Sequence, residues 1–424
     1  MSQRRGRFTA VFALAVLAAA WVLPPLSQKI LGLCPVRPGA VAQAQAVPAF
    51  SRKYGISCSQ CHAAYPLLND YGREFKNNGF VRERAKEEGV RIEASDMMLP
   101  KDFPWGGLVK ARPIDKQKSS GTPRKIQNRA LHELELFVAD GSVAKNFSYF
   151  TEIEAEDDAG TGFEMEVADL SLGYHPNPYF NVIAGFGDFL HRVDPYQTLA
   201  HSGWTRRASD ARTLLMLDQQ YLALRGELSR EGVGALGYAF GVGGGAAAAT
   251  AGTKAQEGYG PPNYNVRLVA DTLKGLALGG YFQYGKDDLT SKNETGTPIN
   301  KIQAFAVDAL AEFKDFGIRA ALMSAKKEAD ATGVLKADNT GGYGEAFYTF
   351  KKNERPWIVP LVRFDSVKDK FLDRKQNHLV ASLAYYPMEN VRTFVEYYDE
   401  LSDNKAGVKQ TKDTRWTAQV ELGF

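Results

Sequence analysis

The chain has 424 residues, enough for two domains. Forty glycines, nineteen tyrosines and twenty-four phenylalanines describe a β-rich chain, and no long apolar run comes after the N-terminal stretch, which excludes a helical membrane protein. A formal net charge of +3, without basic runs that alternate with aromatics, sets nucleic acid aside as a partner.

Residues 1–46 read as a signal peptide. Arg4, Arg5 and Arg7 precede the apolar run Ala10 to Leu23, and Ala44-Gln45-Ala46 gives a small-x-small cleavage site. The run is shorter than a membrane-spanning helix needs, so an uncleaved anchor is the weaker reading. Cys34 comes after Leu33, where a lipoprotein cysteine would come after a small residue. The mature chain is expected to begin near Val47.

Cys58-Ser59-Gln60-Cys61-His62 is the attachment signature of a c-type haem. Each thiol adds to one haem vinyl group to form a thioether, and His62 comes next, where its imidazole can bind the iron as the proximal ligand. A zinc half-site would want a second pair of ligands, and a thioredoxin-like pair a βαβ setting. Cys34 belongs to the leader, so the mature chain is left with the motif's two cysteines, as suits attachment outside the cytoplasm. One covalent haem c is the expected cofactor. Met97 and Met98 are the candidates for the distal iron ligand, where a thioether would raise the potential relative to two histidines, although methionine also packs well.

Residues 47–104 form the expected monohaem cytochrome segment. Fewer than sixty residues bury too little surface to be comfortable alone, and covalent haem offsets only part of the deficit. The segment is therefore expected to plug the lumen of a barrel formed by the remainder of the chain.

Residues 105–424 alternate in segments of roughly ten residues, the length of a tilted strand that crosses a bilayer. In Thr414 to Phe424, Trp416, Ala418, Val420, Leu422 and Phe424 share one face, and Arg415, Thr417, Gln419 and Glu421 the other. Leu379, Ala381, Leu383 and Tyr385 repeat the pattern, as do Val391, Thr393, Val395 and Tyr397. Short connections at 175–178, 229–232, 272–275, 314–316, 352–355 and 387–390 alternate with long polar stretches near 191–211, 243–262, 286–300, 327–341, 366–376 and 400–412. From Leu108–Arg112 to Thr414–Phe424 this predicts about sixteen strands, an even number as in single-chain bacterial barrels. The fold class is mainly β, a small haem segment fused to an antiparallel transmembrane barrel whose apolar faces meet outer-membrane lipid. A soluble sandwich has no reason for strict short-long order, but strand alternation alone leaves it open.

Glu152, Glu154 and Glu156 share a strand face opposite Tyr149, Thr151 and Ile153, which directs them to the lumen, and Asp157, Asp158 and Glu164 come after them. Carboxylates suit Fe(II) and would concentrate it; a lumen wall paired with arginines and lysines is the ordinary alternative. His132 shares a face with Leu134, Leu136 and Val138 and is expected to point outward. His175 and His378 read as strand-end residues, His191 and His201 as outer-loop residues, and Gly241 to Gly245 as an outer loop. No Ser/His/Asp set or phosphate-cradling glycine loop is present.

The stretches 48–62 (Pro48-Ala49-Phe50-Ser51-Arg52-Lys53-Tyr54-Gly55-Ile56-Ser57-Cys58-Ser59-Gln60-Cys61-His62) and 65–80 (Tyr65-Pro66-Leu67-Leu68-Asn69-Asp70-Tyr71-Gly72-Arg73-Glu74-Phe75-Lys76-Asn77-Asn78-Gly79-Phe80) resemble the cytochrome motif of the fused outer-membrane cytochrome-porins of the Cyc2 type. Over the barrel the resemblance is one of architecture. It implies an electron-transfer protein, an Fe(II) oxidase, in which extracellular Fe(II) gives one electron to the haem and a periplasmic carrier such as a soluble cytochrome receives it. Haem-motif porins of unestablished role look similar over the same stretch. The other reading is a porin-like channel whose tethered haem is a plug, a sensor or an electron outlet.

Overall fold

The computed structural model describes residues 49–81, 89–91, 98–100, 104–119, 125–141, 146–157, 162–189, 218–230, 234–243, 262–273, 275–287, 300–328, 337–370, 373–409 and 413–424. The expected signal peptide, Met97, His191 and His201 lie outside them, and Met98 is described by its backbone alone.

The N-terminal part carries three short helices, α1 (Ala49–Tyr54), α2 (Cys58–Cys61) and α3 (Asp70–Asn77), and two small ladders, β1 (His62–Ala64) with β2 (Leu67–Leu68) and β3 (Gly89–Arg91) with β4 (Met98–Pro100). Then come β5 (Trp105–Ser119), β6 (Lys125–Asp140), β7 (Phe147–Asp157), β8 (Phe163–Asn177), β9 (Phe180–Asp188), β10 (Asp218–Arg230), β11 (Gly234–Gly243) and β12 (Asn263–Leu273). The wall continues through β13 (Leu276–Asp287), β14 (Asn300–Phe313), β15 (Phe316–Glu328), β16 (Ala337–Tyr348), β17 (Phe350–Lys352), β18 (Arg355–Asp369), β19 (Arg374–Met388), β20 (Val391–Lys405), β21 (Val408–Lys409) and β22 (Asp413–Gly423). Each strand pairs antiparallel with its neighbours in sequence, and β22 closes the ring on β5. β17 extends β16 beyond Thr349, and β21 precedes β22 along the same partner, β20, so the closed barrel has sixteen strands, as expected. Closure is completed where Gly107 and Phe424 exchange two backbone hydrogen bonds, each 2.9 Å.

Alternation in the sequence becomes an inside and an outside. In β22, Trp416 and Leu422 are 51% and 44% exposed, while Thr417, Gln419 and Glu421 are 2–4% exposed. An apolar exterior with a closed hydrogen-bond ring satisfies every strand without an edge, the condition for crossing a bilayer with β structure. The polar interior is paired within itself: Arg267 to Asp308 at 2.7 Å, Arg363 to Glu345 at 3.1 Å and Arg392 to Glu421 at 3.1 Å. Tight connections, including Lys314-Asp315, Asn353-Glu354 and Glu389-Asn390, gather at one end. Asn353 and Glu354 both have positive φ, 52° and 62°, the primed two-residue turn whose twist matches a hairpin. Exposed Phe147, Phe180, Phe316, Tyr348 and Trp357 ring this short-turn end, in the manner of the aromatic girdles of membrane barrels.

Several local expectations are corrected. His132 is 1% exposed and turned inward, because β6 carries two extra residues against β5: Lys110 pairs with Glu133 but Arg112 with Arg129, and His132 lies in the bulge between them, where the alternation lapses. His175 lies within β8, which runs on to Asn177, so the turn starts at Pro178; its ring is buried and meets Ser148 Oγ at 2.7 Å and Asn181 Oδ1 at 2.9 Å. His378 is likewise inside β19, 1% exposed. Gly241 to Gly243 belong to β11, since glycines there pair in register with Tyr221, Ala223 and Asn263. The strands also outrun their expected ends: β18 reaches Asp369 and β20 reaches Lys405.

Candidate functional site

Residues 49–81 lie across the short-turn mouth of the barrel, tied to strands around its circumference. Gly55, at φ 61°, ends α1 and lets the chain turn into the Cys58–Cys61 helix. One helical turn places positions i and i+3 on one side, so both thiols face together with His62 immediately after. One amide and one hydroxyl at the start of this turn are taken up by the barrel: Cys58 N–H donates to Glu389 Oε2 at 2.9 Å and Ser59 Oγ to Glu389 Oε1 at 3.0 Å. Arg355 Nε holds the same carboxylate at 3.0 Å. Glu389 is thus a clamp between the β19–β20 turn and the Cys-x-x-Cys-His motif.

On the other side, α3 locks the motif's C-terminal end. Asn69 caps α3 by accepting from Gly72 N at 2.9 Å, and its own N–H donates to Cys61 O at 2.9 Å. A Cβ on Gly72 would come within 2.1 Å of Cys61 O, so glycine permits the close approach of α3 to the Cys-x-x-Cys turn. Arg73 donates to Leu68 O at 2.8 Å and pairs with Glu312 at 3.0 Å on β14. Elsewhere on the rim, Lys53 pairs with Asp140 at 2.9 Å and Arg225 donates to Asn77 Oδ1 at 3.0 Å.

Apolar packing does the rest. Ala64 and Leu67 are buried against Phe347, Val359, Leu361, Ala384, Tyr386 and Phe394, with Ala63 and Tyr65 packed beside them, and Tyr386 Oη donates to Tyr65 O at 2.7 Å. Phe50 meets Phe75 and Phe80, each at 5.1 Å between ring centres, and Phe80 reaches Phe150 of β7 at 5.8 Å. Isolated, this segment would be too small to stay folded; seated here it borrows the barrel's inner wall.

The three motif residues fit a thioether-bound haem. Burial, and then the Glu389 carboxylate, push the Cys58 thiol up to about 12, and burial pushes Cys61 up to about 11, so neither is poised as a thiolate for dithiol exchange. Burial lowers the His62 imidazole to about 4, against a smaller opposing effect of the Pro66 and Leu67 backbone, which keeps the ring neutral with a lone pair to give. His62 Nδ1 is buried without a hydrogen-bond partner, and Tyr65 packs edge-on at 5.4 Å between ring centres. A buried polar atom without a partner calls for an explanation, and ligation through Nδ1 would supply one. The position expected for Met97 or Met98 is not among the described side chains.

The acidic wall is broader than its sequence signal. Glu152 is buried and Glu154 half-buried on the inner face of β7, as expected, while Glu156 is exposed. Glu135 stands opposite Glu154 and Glu133 opposite Glu156 in register, and carboxylate oxygens of Glu133, Glu135 and Glu154 converge within 4.8 Å. Lys110 contacts Glu135 and reaches Glu133 at 2.9 Å, so part of this charge is compensated. Leu134-Glu135-Leu136 carries the same alternation as β7 and was the available signal for Glu133 and Glu135. A second grouping brings His132 to Glu133 and Glu156. There Arg129 can only donate to His132 Nδ1, at 3.1 Å, so the proton stays on Nε2, 3.4 Å from Glu156.

No family model and no curated protein matches the chain. Among solved structures, OmpF of Salmonella typhi in complex with daunomycin superposes with a TM-score of 0.53 at 12% identity, covering 76% of this chain and 97% of OmpF. The anion-selective porin from Comamonas acidovorans gives 0.51 at 11% identity over 76% of this chain and 98% of the porin. OmpT of Vibrio cholerae with loop L8 deleted gives 0.51 at 11%, over 76% of this chain and all of OmpT. The chain has the sixteen-stranded antiparallel fold of outer-membrane porins. The N-terminal segment is docked in the short-turn mouth of this barrel.

Proposed function

We propose that this chain is an outer-membrane c-type cytochrome-porin that takes electrons from extracellular Fe(II) and passes them to a periplasmic electron carrier. The observation that carries the reading is the Cys58-x-x-Cys61-His62 turn, clamped by Glu389 at the periplasmic mouth, with His62 Nδ1 buried and unpartnered. Cys58 and Cys61 would hold haem c as thioethers, His62 would take the proximal position, and Met97 or Met98 the distal one. The bound group supplies a one-electron acceptor between a compartment of donor and a compartment of carrier. The protein supplies place: Glu389, Asn69 and Gly72 fix the motif at the mouth, and the aliphatic and aromatic wall around Ala64 and Leu67 excludes water. Glu152 and Glu154, with Glu133 and Glu135, line the lumen with oxygen ligands suited to attract a divalent cation.

The test uses purified protein in detergent. Anaerobic Fe(II) is added and the haem α-band is followed; reduction faster than a free haem-peptide control supports the reading, and none from acid to neutral pH refutes it. The likeness to porins favours a second reading, a channel with a tethered haem. Single-channel conductance separates the two, since a segment that fills the mouth predicts a closed pore.

A further inference from the structure

We propose that the outward face of β15, β16, β18 and β19 binds the phosphate groups of a membrane lipid, at the end of the barrel opposite the tight turns. This goes beyond the haem reading and does not depend on it. On β18 the outward series from the tight-turn end is Ile358, Pro360, Val362 and Phe364, then Ser366 and Lys368. Its direction is plain, because Val362 and Phe364 are 54% and 44% exposed while Leu361, Arg363 and Asp365 are 2–3% exposed. β15 ends its outward series in the same way on Ser324 and Lys326, and β19 on Asn377 and Lys375. Register brings these ends together. Lys368 is directly opposite Lys375, Lys326 is opposite Asp338, and Lys370, next after β18, reaches Asp338 at 2.8 Å. All four lysines are exposed. Among the described residues Lys368 and Lys375 have no ion pair, and like charges directly opposite are unfavourable until an anion lies between them.

Height identifies the anion. From Ile358 to Lys368 the strand rises about 33 Å along its own axis, or about 25 Å across the bilayer at a tilt of about 40°, which is the height of a barrel's apolar band. The lysines therefore stand where acyl chains give way to headgroups, with Val362, Phe364 and Leu383 exposed below them for the chains to lie along. Lysine suits this boundary, since its stem covers apolar surface while the ammonium group reaches the phosphate. Thr340, opposite Lys368 in register, adds a hydroxyl donor. The face is local. At the same end of β8, β11 and β12 the outward positions carry Phe163, Met165, Val242 and Tyr264, which offer a phosphate nothing.

The experiment titrates the purified full-length protein in detergent and reads bound lipid by native mass spectrometry. The probes are a bisphosphorylated lipid A, the same lipid stripped of its phosphates, and inorganic phosphate. Lys368→Gln combined with Lys375→Gln is compared with Lys351→Gln combined with Lys352→Gln at the tight-turn end, and the heat-shifted band on gel electrophoresis verifies that each barrel is folded. Loss of two lysines at a lipid surface should weaken binding of the phosphorylated lipid roughly thirtyfold, with the tight-turn variant binding as the unaltered protein does. Undiminished binding by the Lys368 and Lys375 variant overturns the assignment. Equal binding of the phosphate-free lipid overturns it as well, since the apolar wall would then suffice, and inorganic phosphate bound as tightly as the lipid would make this an ion site instead. If the double variant does not fold, salt titration of the unaltered protein decides, because binding that salt leaves unchanged has no such charge contact.

Discussion

Replacing Glu389 by alanine should undock the Cys-x-x-Cys-His motif while leaving the barrel intact. The carboxylate accepts from Cys58 N–H at 2.9 Å and Ser59 Oγ at 3.0 Å, and its side chain is 6% exposed. Hydrogen bonds to a charged group contribute about 1.5–3 kcal/mol each, so two at the lower end come to about 3 kcal/mol. The Arg355 pair adds little, because Arg355 is 41% exposed and water screens it. At about 1.4 kcal/mol per tenfold, the loss corresponds to roughly a hundredfold rise in the opened population of the turn. Amide hydrogen exchange read by mass spectrometry on peptides spanning 57–62 reports that population directly. A peptide from Thr414 to Phe424 is the internal control and should exchange as before. Equal exchange at 57–62 in both proteins would refute the clamp, and faster exchange at the control would show that the barrel itself had been damaged.

Gly72→Ala forces a methyl against Cys61 O, where the close approach has no slack; overpacking of this kind costs about 1–3 kcal/mol, and limited trypsin digestion should cut the N-terminal segment sooner while the barrel core persists. Asp308→Asn leaves the Arg267 guanidinium, fully buried, without its charge partner, and a loss of about 3–5 kcal/mol should lower the temperature at which the folded band converts on unheated gel electrophoresis. Cys58→Ser and Cys61→Ser together should abolish covalent haem staining with no change in barrel migration. Glu152→Gln, Glu154→Gln and Glu156→Gln combined should raise the Fe(II) concentration needed for half-maximal haem reduction; an unchanged concentration would remove these residues from the donor path.

The barrel was legible because lipid and lumen impose opposite demands on successive residues. Thr414 to Phe424 shows this with no interruption, and its faces in the structure are those of the sequence. The same rule fails at His132, because alternation counts residues and cannot register the extra ones that β6 carries against β5. Half of the acidic wall was readable from Glu152, Glu154 and Glu156. Glu133 and Glu135 carry an equal signal on β6, but their convergence depends on strand register. Cys58, Cys61 and His62 announce themselves by spacing. Glu389 does not, since a turn carboxylate becomes special only when the chain returns to Cys58 from 331 positions away.

The clamp also orders events in time. Cys58 is made early, and the carboxylate that receives its amide is 331 positions downstream, on the turn between the fourteenth and fifteenth strands of sixteen. The apolar seat for Ala64 and Leu67 is likewise built from β16, β18, β19 and β20. Contacts of such separation form late, because loop closure over hundreds of residues comes before any reward. The motif therefore spends most of the chain's assembly undocked, and is seated only when the wall is nearly whole. Docking of the motif then reports that the barrel has closed.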